Sequence, residues 1–270
     1  MKELIDSGVD LSVKNGCDNT VLHFQTDERV VELLIKAGVD VNARNVWEST
    51  LLHQLTNSGV ISLLIKAGAD VNARNSWGET PLHGQTDTES VRLLIEAGAD
   101  VNAISDNGNT PLHYDKPKKF IELMIKAGAD VNARNEDNDT PLHGQIHEDS
   151  VKELIKSGAD VNARNRWDET PLHYPKNKRA VRLLIEVGAD VNAMDDRNRP
   201  PTNIKLVKLV VEEMASEKIT RFIRHCKWLR LHKLTRTFAF NKWYCGEEDG
   251  NGGGTGRKVD HKRIMDSFVR

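Results

Sequence analysis

The chain has 270 residues, with 38 Lys and Arg against 40 Asp and Glu, a formal net charge of −2. Apolar residues make up 38%, a share that with glycine reaches the roughly 45% of ordinary globular chains and excludes a wholly disordered or collagen-like one. No strictly apolar run exceeds three residues, so no helix is predicted to span a bilayer.

Taken in chain order, the N-terminus lacks the roughly 7–15-residue apolar stretch of a secretory signal. Lys2-Glu3-Leu4-Ile5-Asp6-Ser7-Gly8 instead matches Lys152-Glu153-Leu154-Ile155-Lys156-Ser157-Gly158. Residues 1–13 therefore read as a partial repeat that starts in its second half, and either a fragment of a longer chain or a frayed end is expected. Residues 14–193 hold six full repeats. His23, His53, His83, His113, His143 and His173 recur every 30 residues, each preceded by Leu and, three positions earlier, by Thr. Pro81, Pro111, Pro141 and Pro171 follow that Thr, where a missing N–H suits the first turn of a helix. Asp27, Asn57, Asp87 and Asn177 share a slot placed to N-cap a second helix. Within it Val91, Leu94 and Ile95 keep the i, i+3, i+4 spacing of an apolar stripe. Gly98 and its equivalents then stop the helix as left-handed residues. A helix of about ten residues is marginal alone, so stacking of identical units is predicted to stabilise it.

Residues 194–217 are a degenerate repeat, with Pro200-Pro201-Thr202-Asn203 in place of Thr-Pro-Leu-His, and are expected to cap the array. Residues 218–244 read as a basic amphipathic helical segment: Ile219, Phe222, Ile223, Cys226 and Leu229 keep helical spacing, with Arg221, Arg224, Lys227 and Arg230 between them. Residues 245–270, with Gly250-Asn251-Gly252-Gly253-Gly254-Thr255-Gly256, read as a flexible polar tail. Charge divides along the same line. Residues 1–203 carry 23 Lys and Arg against 32 Asp and Glu, whereas residues 204–270 carry 15 against 8.

Thr-Pro-Leu-His followed by Val-x-Leu-Leu-Ile-x-x-Gly-Ala-Asp-Val-Asn-Ala resembles the ankyrin repeat. The resemblance recurs in one phase over residues 1–217, about four-fifths of the chain. It implies an all-α solenoid of stacked helix-turn-helix units with hairpin-like loops, to which the basic C-terminal helical segment is appended. Family repeats run about 33 residues; these run 30, and the loss falls between the His and the second helix. The small residue expected two places after His is Gln25, Leu55, Gln85, Asp115, Gln145 or Pro175. A first helix of little more than one turn is predicted.

The six histidines lie one per repeat at equivalent places, so they line up rather than converge on a metal, and a structural hydrogen-bonding role is expected. Neither a phosphate-loop glycine pattern nor a nucleophile with its base is present; no enzyme, cofactor or metal is expected. His225, Cys226, His232 and Cys245 have no zinc spacing. Three cysteines, Cys17, Cys226 and Cys245, argue against a disulfide framework and fit a reducing compartment; a cytoplasmic location, with the nucleus as alternative, and a monomer are expected.

The resemblance places Trp47, Trp77 and Trp167 at exposed loop tips, where a large aromatic buries nothing within its own repeat. Trp is over-represented in binding hot spots. Arg44, Arg74, Arg134 and Arg164 share a slot at the loop base. Either these residues bind a partner, or Trp packs on the next loop and Arg pairs with acids such as Glu48 or Asp168. Tyr114 and Tyr174 follow their histidines and are candidates for the concave face. The resemblance implies a non-enzymatic protein-binding scaffold or adaptor using tips and concave face. The alternative is that residues 218–244 bind nucleic acid, anionic membrane or a larger assembly through Arg221, Arg224, Lys227 and Arg230, with the repeats as a platform.

Overall fold

The computed structural model describes residues 8–174, 176–201 and 204–231. Among them the regular elements are all helical. Each repeat opens with one helical turn: Val21–Phe24, Leu51–Gln54, Pro81–Gly84, Pro111–His113, Pro141–Gly144 and Pro171–His173. Each turn is followed by a nine-residue helix: α1 (Glu28–Lys36), α2 (Ser58–Lys66), α3 (Thr88–Glu96), α4 (Lys118–Lys126), α5 (Glu148–Lys156) and α6 (Lys178–Glu186). α7 (Ile204–Leu231) follows the last repeat. The chain divides into two units, Met1–Met214 and Ala215–Arg270.

Local chemistry sets the bounds of each helix. Asp27 and Asn57 accept from two backbone N–H groups at the starts of α1 and α2, and Asp87 and Asn177 from one each at the starts of α3 and α6. Pro117 and His147 stand in that slot before α4 and α5 and provide no such cap. Each helix ends where Gly38, Gly68, Gly98, Gly128, Gly158 or Gly188 takes a positive φ, a conformation costly for a side chain with a Cβ.

α1 to α6 pack in sequence, each on the next. Their inner stripe is sealed: Leu34, Leu64, Leu94, Met124, Leu154 and Leu184 are fully buried, as is the Leu before each repeat histidine. Each such side chain contributes about 2 kcal/mol by leaving water, and it does so only because a neighbouring repeat covers it. Beyond α6, Val207 and Val210 of α7 are buried in the same apolar cluster, and Lys178 pairs with Glu213 at 2.6 Å.

The single opening turn follows from the three missing residues. A helix cut so short leaves carbonyls without partners. Side chains of the next repeat take them. Gln85 Nε2 donates to Leu55 O at 2.5 Å, and Gln145 Nε2 to Leu112 O at 3.0 Å and Tyr114 O at 2.6 Å. One position later in the alternate repeats, Lys116 Nζ donates to His83 O at 2.7 Å and Gln85 O at 2.8 Å, and Lys176 Nζ to Leu142 O, His143 O and Gln145 O.

Candidate partner-binding surface

The loop tips are built by asparagine. In the second repeat Asn45 Oδ1 accepts from the N–H groups of Trp47 and Ser49, and the turn closes through Glu48, which adopts φ +55°. Asn75, Asn135 and Asn165 repeat this pattern. Successive tips are stitched by backbone bonds: Val46 N–H to Cys17 O, Ser76 to Trp47, Asp106 to Trp77, Glu136 to Asn107, Arg166 to Asp137 and Asp196 to Trp167, all within 3.1 Å. Below the tips Asn42, Asn72, Asn102, Asn132 and Asn162 each donate to a glycine carbonyl of the next repeat and accept from an aspartate N–H two residues beyond it.

On this frame the three tip tryptophans differ. Trp47 and Trp77 are 44% and 55% exposed, while Trp167 is half-buried under Arg166, whose guanidinium carbon lies 5.3 Å from the ring centroid. The arginines of the second slot hold adjacent repeats together. Arg44 Nη1 donates to Glu48 O at 3.2 Å and Arg74 O at 2.6 Å. Arg134 and Arg164 do the same to Asn138 and Arg164, and to Asp168 and Met194. Their pairs with Glu48 and Asp168, at 3.5 and 3.9 Å, are exposed and contribute little. Arg74 breaks the pattern: its guanidinium faces Asp106 at 3.7 Å and lines a cleft of about 510 Å³ with Ile104, Asn72 and Asn102.

Tyr114 and Tyr174 are half-buried and reach back one repeat. Tyr114 Oη donates to Glu79 at 2.7 Å and Tyr174 Oη to Asp139 at 3.3 Å, each edge-on to a histidine, His83 or His143. Burial and the Glu79 carboxylate push the Tyr114 hydroxyl up to about 12, and burial with Asp139 raises that of Tyr174. The repeat histidines are structural. The Thr N–H donates to Nδ1, so Nε2 carries the hydrogen and donates to a carbonyl of the next repeat in five of them, from His23 to Ser49 through His143 to Glu169, at 3.0–3.3 Å. His173 Nε2 is buried and has no hydrogen-bond partner among the described residues. Among the described residues no group of His, Cys, Asp and Glu is arranged to hold a metal, and no helix is long and apolar enough to cross a membrane.

Family models for ankyrin repeats match residues 17–46, 52–114 and 115–195, more than half of the chain. The chain belongs to the ankyrin repeat family. Among solved structures it is similar to the ankyrin repeat domain of Bcl-3, described as a unique member of the IkappaB protein family. The identity is 27% and the TM-score 0.53, over 68% of this chain and 91% of that one. No curated protein matches. Ankyrin repeats are general protein–protein interaction modules and typically non-enzymatic.

Within this ankyrin array two buried cations escaped the sequence reading. Lys116 and Lys176 are 4% and 6% exposed, and burial pushes both amines down to about 8. In the sequence they look like ordinary surface charges. The available signal was the alternation of Gln in one repeat with Lys one position later in the next. The tail candidates Arg221, Arg224, Lys227 and Arg230 fall on the course of α7, but their side chains, those of Ile219, Phe222, Ile223, Cys226 and Leu229, and all of residues 232–270 lie outside the described residues.

Proposed function

We propose that the array, residues 1–217, is a non-enzymatic scaffold that binds a partner protein through its loop tips and concave face, acting as a monomer in a reducing compartment. One observation carries this reading: Trp47 and Trp77 stand about half exposed on tips locked by backbone bonds to their neighbours. Exposing an indole to water brings no stability to the array. A locked tip loses little freedom on binding, so a larger part of the contact energy appears as affinity. Arg44, Arg74, Arg134 and Arg164, three residues before the tryptophan slot, and the half-buried Tyr114 and Tyr174 serve as secondary contacts. Their existing bonds make them fixed walls rather than free arms.

The test replaces Trp47, Trp77 and Trp167 together by Ala and compares partner capture by the intact chain and the variant. The triple variant is expected to keep its helical circular dichroism and to lose affinity at least 30-fold, as loss of one aromatic hot spot of about 2 kcal/mol alone would require. Undiminished capture by the folded variant would overturn the tip reading.

A further inference from the structure

We propose that the open faces of Trp47 and Trp77 receive arginine or lysine side chains from a basic segment of the partner protein. This rests on the tip-binding reading and names the chemistry of the partner.

The third tip already contains such an arrangement. Arg166 lies over the ring of Trp167, its guanidinium carbon 5.3 Å from the centroid, and is held there by Asp137 of the preceding tip at 2.8 Å. In the slot of Arg166 the other two tryptophan repeats carry Val46 and Ser76. Neither supplies a cation, and both rings remain exposed. The face of an indole is its negative side and attracts a guanidinium or ammonium. An acidic residue is tied to each of these tips through the backbone. Glu48 follows Trp47 in the same tip, and Asp106 is joined to Trp77 through its backbone N–H at 2.9 Å. Their side chains are 59% and 65% exposed.

The cations nearby do not fill the rings. Arg44 is tied to the carbonyls of Glu48 and Arg74, and Arg74 faces Asp106. Charge complementarity points the same way over a longer range, since residues 1–203 carry 32 acidic against 23 basic side chains. Such an excess steers a cationic segment toward the array and repels an acidic one. The two rings sit on consecutive repeats, whose helices pack about 8–10 Å apart. In the polyproline II conformation, with three residues per turn and about 3.1 Å per residue, two cations three residues apart lie on one face and match the pair of rings.

The experiment uses the full chain and a fluorescein-labelled octapeptide, Gly-Ser-Arg-Gly-Ser-Arg-Gly-Ser, read by fluorescence anisotropy. Its counterpart carries Glu in place of both Arg. The arginine peptide is expected to bind saturably, to weaken as salt rises, and to outbind the glutamate peptide at least tenfold. Trp77→Ala should weaken it at least fivefold. Ser76→Arg should weaken it similarly by placing a cation of the chain's own over Trp77, with circular dichroism confirming that both variants fold. Equal binding of the two peptides, no binding of the arginine peptide, or indifference to both folded variants overturns the proposal. If the Trp47, Trp77 and Trp167 variant still loses a partner in capture, the tip reading stands and only the cationic chemistry fails.

Discussion

At the scale of single residues, the histidine of each of the first five repeats couples two units through one proton. Nδ1 accepts the N–H of its own Thr, so it stays unprotonated, and Nε2 carries the hydrogen across to the next repeat. Protonating Nδ1 would set a donor against a donor. Burial, the largest cause, lowers the folded-state pKa of His53, His83, His113 and His143 below the ordinary 6.5. The sign follows from linkage. Below 6.5 the unfolded chain binds protons that these folded histidines refuse, so their contribution is complete above 6.5 and is lost as pH falls beneath it. The urea midpoint is expected to drop between pH 6.5 and 5, above the range where carboxylates titrate and below that of the buried Lys116 and Lys176 amines. A level midpoint down to pH 5 would contradict this assignment of the proton.

At the scale of elements, the nine-residue helices were legible in the sequence because their signals are local. An N-cap residue, the i, i+3, i+4 stripe and a left-handed glycine each act within a few positions. The shortness of the opening turn was legible as well, from the three absent residues. The way the fold compensates for it was not, because the compensating groups belong to the next repeat, about 30 residues away. Lys116 and Lys176 are buried only because carbonyls of the preceding turn wait for them. The tip tryptophans were legible as a row, but not the difference among them, which depends on Arg166 lying across one ring. The opening turns also pack closely enough for a single methyl to matter. A Cβ at Gly144 would run into the His113 carbonyl oxygen, while one at Gly84 would lie 3.3 Å from the His53 oxygen. Gly144→Ala is expected to cost about 2 kcal/mol through overpacking. Gly84→Ala should be nearly neutral, because the helix preference of Ala offsets the mild crowding. Chemical denaturation of both variants checks the contrast, and equal costs would show that the turns shift freely.

At the scale of the whole molecule, an array of this kind is a chain of nearest-neighbour couplings, and its weakest junction decides where it opens. Backbone bonds between tips and the asparagine bonds beneath them run without interruption through the repeats. Two other series are broken. The cation-to-carbonyl bond is made by Lys14, Arg44, Arg134 and Arg164, but Arg74 turns to Asp106 and Ile104 has no charge to offer. The side-chain bond between tip bases joins Asn45 to Asn19, Asn135 to Asn109 and Asn165 to Asp139. Among the described residues neither series crosses from the third repeat to the fourth, where Ser105 stands in the asparagine slot, and the cleft beside Arg74 and Ile104 opens there. The amide of Asp106, which bonds across this junction to Trp77, is therefore expected to exchange with solvent faster than those of Ser76 and Arg166 in the same ladder. Ser105→Asn would place an amide opposite Glu79 and Tyr114, as Asn165 stands opposite Asp139 and Tyr174. One such bond is worth about 1 kcal/mol, so exchange at Asp106 should slow about fivefold in the variant while Arg166 is unaffected. Uniform protection along the ladder in the natural chain would mean that the backbone stitches alone set the coupling and the side-chain series adds nothing.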